Sequence, residues 1–116
     1  MNKDYIPKRG DVVWVDFNPT IGHEQAGLRP ALVLSAQHYH EVSSLMVVCP
    51  ITSSSKGYLF EVSIPAGAPV TGVVLADHVR SMDWRRRKTS YIGRMPTDVV
   101  NTVRQAVRLL LEGSSI

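Results

Sequence analysis

Apolar and polar positions alternate along residues 12–17, where Val13, Val15 and Phe17 take turns with Trp14 and Asp16, the period of a half-buried strand. Residues 31–35 and 45–51 are continuously apolar, which predicts two strands covered on both faces. Alternation returns over 58–64. A fifth strand begins at 72–76 and runs with a bend toward residue 82, and a sixth lies around 90–94. The polar run 37–44 predicts a short helical turn. After Pro96 the period becomes helical: Val99, Val100, Val103, Ala106, Val107, Leu110 and Leu111 recur on one face. Thr97 is the predicted N-cap, Asp98 favours the first turn, and Gly113 ends the helix.

The connections are as telling as the strands. Residues 18–29 (NPTIGHEQAGLR) form a loop of about a dozen residues, a length that statistics associate with function. TSSSKG (52–57), PAGAPVT (65–71) and a basic turn at 84–88 supply the other breaks. Five or six short strands and one C-terminal helix predict a mainly β fold in a single domain, residues 1–116: a small, strongly curved sheet or barrel capped by the helix. One helix covers only part of such a sheet. A second copy of the chain is therefore expected on the rest, as a homodimer.

Composition narrows the class. Hydrophobic residues make up 44% of the 116 and charged residues 20%, which is globular and excludes a disordered or fibrous chain. The longest apolar run, 45–51, is far short of the roughly 20 residues that span a bilayer. The start, MNKDYIPKRGD, is too charged for a signal peptide, so a cytoplasmic protein with no membrane partner is expected. Net charge is +3, unevenly spread: residues 1–70 hold five basic and six acidic side chains, residues 71–116 eight and four. Arg80, Arg85, Arg86, Arg87, Lys88 and Arg94 fall close together, which suits a polyanionic partner or a solvated basic turn.

Familiar catalytic motifs are absent. There is no phosphate loop with its Lys-Ser/Thr, no GxSxG elbow and no HExxH helix. His38 and His40 lack a third convergent ligand and read as surface histidines on a polar turn. Cys49, between Val48 and Pro50, reads as a small buried hydrophobe. Three segments remain: residues 22–30 with His23, Glu24, Gln25 and Arg29; the strand end Pro50-Ile51-Thr52-Ser53 with Lys56; and Ala76-Asp77-His78-Val79-Arg80. Together they offer cations, hydroxyls and acid–base groups but no metal set, an inventory that suits chemistry on a phosphodiester without a metal or other cofactor.

GDVVWVDFNPTIGHEQAGLRPALVLS (10–35), PITSSSKGYLFEV (50–62), GVVLADHVRSMDWRRR (72–87) and the terminal helix resemble the MazF/PemK/Kid family of toxin endoribonucleases, closest to its MazF branch. The likeness covers nearly the whole chain. It implies an SH3-like barrel of five to seven strands with a C-terminal helix, which dimerises and cuts single-stranded mRNA at short sequences without a metal. The ribose 2′-hydroxyl attacks the adjacent phosphorus, leaving a 2′,3′-cyclic phosphate and a 5′-hydroxyl, so RNA and not DNA is the substrate. The resemblance also implies an acidic, short-lived MazE-like antitoxin whose tail occupies the RNA groove, with DNA reached only through that antitoxin.

The positions matching the MazF pattern are Arg29 and Thr52. Arg29 forks onto phosphate oxygens, and Thr52 donates its hydroxyl to a non-bridging oxygen. Glu24 is the candidate proton acceptor or orienter, or the ion-pair partner of Arg29. His23 serves the same role or stacks on a base. Gln25 belongs to the same RNA-facing loop, Lys56 contacts phosphate, and Asp77, His78 and Arg80 lie at the groove rim. In the family's pattern the tryptophans at positions 14 and 84 help receive the antitoxin tail, so Trp14 and Trp84, with Arg86 and Arg87, are expected to contact it. One departure stands out: Leu75 occupies the position where the Kid-like branch has a proton-transferring arginine, so Asp77 is assigned to binding or structure and not to catalysis. Two other classes compete with a nuclease. One is a non-catalytic poison of the same fold that binds a protein such as gyrase, and the other is a nucleic-acid-binding module without strand scission.

Overall fold

The computed structural model describes residues 5–19, 22 and 26–113. Among these, seven strands form one antiparallel sheet: β1 (Asp11–Asp16), β2 (Leu28–Val33), β3 (Leu45–Thr52), β4 (Glu61–Ser63), β5 (Val73–Leu75), β6 (Arg80–Asp83) and β7 (Ser90–Arg94). The order is β4-β5-β3-β2-β1-β7, with β6 also paired to β3. Helix α1 (Gln37–Ser43) joins β2 to β3, a 3-10 turn (Ala76–His78) separates β5 from β6, and α2 (Thr97–Glu112) closes the chain.

β3 organises the fold because it is long enough to change partners. One edge pairs with β2; the other pairs with β6 through residues 45–48 and with β5 through Ile51 and Thr52. Pro50, which has no N–H to give, falls in the gap between β6 and β5. A strand that passes from one ladder to another turns the corner of a small barrel.

Alternation sends side chains into two cores. Val12, Leu32, Cys49, Ile51 and Val74 meet Val99, Val100 and Val103 of α2. Val13, Val15, Phe17, Ala31, Val33, Met46, Val48 and Met82 form the second core on the opposite side, with Tyr5 and Trp84 packed against it. Both are closed within one chain, since every residue of the second core is at most 2% exposed. The sheet face that the sequence reserved for a second subunit is thus already covered, and apolar surface is left elsewhere: Trp14, Leu28 and the last turn of α2 at Leu109, Leu110 and Leu111.

Several boundaries moved. The second strand begins at Leu28, because Val15 and Asp16 of β1 pair with Arg29 and Leu28. The strand expected over 58–64 shrinks to β4, since the Glu61 N–H turns back to the Tyr58 carbonyl. The bend expected before residue 82 is the 3-10 turn. Thr97 is not the cap of α2; Pro96 holds that position, its carbonyl accepting from Val99 and Val100, and no side chain caps the helix.

His40 is fully buried, contrary to the expectation of a surface histidine. Its Nδ1 lies 2.6 Å from the Pro7 carbonyl and its Nε2 2.5 Å from Ser35 Oγ. A carbonyl only accepts, so Nδ1 carries the proton. Ser35 Oγ, already accepting from the Val47 N–H, then gives its hydrogen to Nε2. Burial, with Arg9 nearby, holds the His40 pKa below 6.5.

Candidate active site

The end of β3 lies against the start of β5, where Thr52 pairs with Val73. The β2–β3 register runs from Val33–Val48 to Ala31–Pro50, its last pair; continued two residues further it brings Arg29 level with Thr52. By alternation Arg29 shares a face with Ala31 and Val33, and Thr52 with Pro50 and Val48. Arg80, paired with Val48, joins the same face, its guanidinium 5.9 Å from the centre of the Phe17 ring. The structure thus brings Arg29, Thr52 and Arg80 to one face of the sheet, with Arg80 four residues along β3 from Thr52.

Arg29 is half-buried, and its Nε donates to the Ala26 carbonyl at 2.8 Å, which aims the guanidinium; among the described residues its terminal nitrogens have no hydrogen-bond partner. Thr52 is only 9% exposed. Its Oγ1 accepts from the Ser54 N–H at 3.2 Å, and among the described residues its hydroxyl hydrogen has no acceptor. Such a pair suits a phosphate whose charge grows during reaction.

The backbone of Thr52 is held by close packing. Gly72 sits at φ +114°, and a Cβ there would lie 2.1 Å from the Thr52 carbonyl oxygen. Only glycine lets β5 approach Thr52 this closely. The sequence pointed to the strand after Gly72 and missed the glycine's own role, although a lone Gly at a strand start is the usual sign of such an approach.

Lys56 is exposed on the loop after β3, and that loop is tied to Glu61, also missed from the sequence. Ser55 Oγ, Lys56 N–H and Gly57 N–H donate to its carboxylate at 2.8 to 3.2 Å. The Lys56 N–H first, with Ser55 and Gly57, holds the Glu61 carboxyl below the usual range. Asp77 and His78 lie on the 3-10 turn, Asp77 exposed and His78 half-buried. Cys49 is buried and its thiol is pushed up to about 12 by burial and then by Asp77, so it is no nucleophile. Among the described residues no three His, Cys, Asp or Glu side chains gather as metal ligands. His23, Glu24 and Gln25 lie outside the described residues.

The four residues assigned to an antitoxin sit in different surroundings. Trp14 alternates with Val13 and Val15 and so faces the α2 side, 41% exposed, whereas Trp84 packs against the second core and donates to the His40 carbonyl. Arg85 stacks on Trp84 at 4.5 Å, and Arg86 is exposed. Arg87 instead clamps the entrance of the β1–β2 loop: its Nη1 donates to the carbonyls of Asp16 and Asn18, while its own carbonyl accepts from the Asp16 N–H. No helix among the described residues is long and apolar enough to cross a membrane.

A family model described as PemK-like, MazF-like toxin of type II toxin–antitoxin system matches residues 8–111. The endoribonuclease toxin MazF of Escherichia coli K12 is 41% identical over 107 residues, which cover 92% of this chain and 96% of that protein. MazF from Deinococcus radiodurans superposes with a TM-score of 0.90 at 52% identity, covering 94% of this chain and 99% of its own. The MazE–MazF complex of the same bacterium gives 0.84 at 48% identity, with 96% and 100% covered.

Proposed function

This chain belongs to the PemK-like, MazF-like toxins of type II toxin–antitoxin systems, and from that membership we propose that it is an endoribonuclease that cuts single-stranded mRNA at short sequences without a metal. The observation that carries the reading is that strand alternation puts Arg29, Thr52 and Arg80 on one face of the sheet, Arg29 and Thr52 just past the last β2–β3 pair.

In the reaction the 2′-oxygen bonds to phosphorus, its proton passes to a base, the P–O5′ bond breaks, and the leaving 5′-oxygen takes up a proton. Thr52 donates its hydroxyl to a non-bridging oxygen, and the terminal nitrogens of Arg29 face the other oxygens as negative charge builds on the phosphorane. Glu24 is proposed as the proton acceptor. Lys56, His78 and Arg80 grip the chain on either side, with His23, Gln25 and Asp77 at the rim.

The neutralising partner is an acidic, MazE-like antitoxin that competes for the cations that hold phosphate, with Trp14, Trp84, Arg86 and Arg87 as its contacts. The chain acts as one cytoplasmic domain and as a homodimer. Exposed Leu109, Leu110 and Leu111, beside an apolar groove of about 360 Å³ lined by Leu34, Val47 and Val107, support a second copy on that side.

The test is cleavage of a long single-stranded RNA by pure protein in excess EDTA, with product ends mapped. Discrete cuts leaving a cyclic phosphate and a 5′-hydroxyl are expected. A folded protein that binds RNA and leaves it whole would sink the reading.

A further inference from the structure

The loop that carries Lys56 has almost no backbone hydrogen bonds of its own to hold its shape. It spans residues 53–60 and connects β3 to β4, two strands that are not neighbours because β5 lies between them. Two acceptors organise its first half. One is Thr52 Oγ1, which takes the Ser54 N–H. The other is the Glu61 carboxylate, which takes the Ser55 hydroxyl and the successive N–H groups of Lys56 and Gly57. Gly57 at φ +73° turns the chain so that neighbouring N–H groups converge, the concave arrangement that receives an anion.

Glu61 is itself fixed to the frame that fixes Thr52. It pairs with Leu75 of β5, and β5 pairs with β3 through Val73 and Thr52. The carboxylate therefore measures the loop against the candidate catalytic hydroxyl. It is not suited to touch RNA: it is negative, and its oxygens already accept from three donors.

We propose that Glu61 is a positioning residue of the nuclease, holding the 53–57 loop so that Lys56 meets an RNA phosphate beside Thr52. The inference rests on the endoribonuclease reading. The negative charge matters because all the donors aim at one carboxylate; an amide of the same shape turns its NH2 toward some of them. Loss of the anchor lets the loop, and Lys56 with it, sample positions away from the groove, so binding weakens while the chemistry at Thr52 proceeds.

The experiment is steady-state cleavage of a short oligonucleotide carrying a mapped cut sequence, by wild type, Glu61→Gln, Lys56→Ala and the double variant, with Ser55→Ala as a milder loosening of the same anchor. Wild-type cleavage tests the nuclease reading by itself. Glu61→Gln is expected to raise KM about five- to tenfold with kcat within about twofold, Ser55→Ala to move the same way by less, and the double variant to be no worse than Lys56→Ala alone. Melting temperature should hold, since the Glu61 carboxylate bonds only to an exposed loop and Gln leaves the backbone pairing with Leu75 in place. Independent effects that multiply in the double variant, an unchanged KM, a fall confined to kcat, or a lower KM (the carboxylate then blocking a phosphate site) would each overturn the proposal.

Discussion

By strand alternation Arg29 and Thr52 lie on one face of the sheet, the face shared with Arg80, each two positions past Ala31–Pro50, the last pair of the β2–β3 ladder. Neither is free to wander: Arg29 Nε is held by the Ala26 carbonyl and Thr52 is 9% exposed. Arg29→Ala and Thr52→Val should each lower kcat by about 10²–10³ with the melting temperature little changed, whereas Thr52→Ser keeps the hydroxyl and most of the rate. Single-turnover cleavage beside a thermal melt checks this, and a Thr52→Val enzyme at full rate would remove the hydroxyl from the mechanism.

Gly72→Ala should damage the same site from behind. Its methyl would collide with the Thr52 carbonyl at 2.1 Å, on a backbone already at positive φ. A loss of about 2–4 kcal/mol in stability is expected, together with a fall in kcat that persists under conditions where the variant is fully folded. Urea unfolding followed by cleavage in low urea separates the two effects.

Asp11 anchors the far end of β1. It is 2% exposed and accepts from the Tyr5 hydroxyl, the Lys8 N–H and Arg94. Burial and then this carboxylate raise the Tyr5 pKa, so the phenol stays protonated and keeps donating. Asp11→Ala should cost about 3 kcal/mol, because three donors lose one acceptor. Arg94→Ala should cost only about 1, its side chain being largely in water. Equal losses from the two would contradict the burial argument.

Stability should fall as pH drops below neutrality, and His40 is one reason. Its folded pKa lies below the 6.5 of the free side chain, so the unfolded chain binds the proton first. The fold is penalised from about pH 6.5 downward until the folded pKa is passed, by at most about 1.4 kcal/mol per pH unit. Thermal melts between pH 7.5 and 5 should show a shallower decline for His40→Leu than for wild type, from a lower starting stability.

Arg87→Ala should loosen the loop between β1 and β2, since its guanidinium holds the Asp16 and Asn18 carbonyls. We expect a severalfold rise in KM for RNA, larger than that of Arg86→Ala, whose side chain is 88% exposed. Parallel kinetics of the two variants decide whether the basic turn acts by charge alone.

The strands, the C-terminal helix and the segments holding Arg29, Thr52, Lys56 and Arg80 were legible in the residues, because alternation, helical period and turn chemistry are local properties of the chain. Four things were not. His40 looked like a surface residue until the N-terminal segment brought the Pro7 carbonyl to its ring. Gly72 was one glycine among eight until β5 was laid against Thr52. Glu61 read as an ordinary strand residue until the loop folded back onto it, and Arg87 as part of a basic cluster until its turn reached the β1 end. Each depends on register and on contacts between residues far apart in sequence, and such contacts exist only once the sheet has chosen its partners.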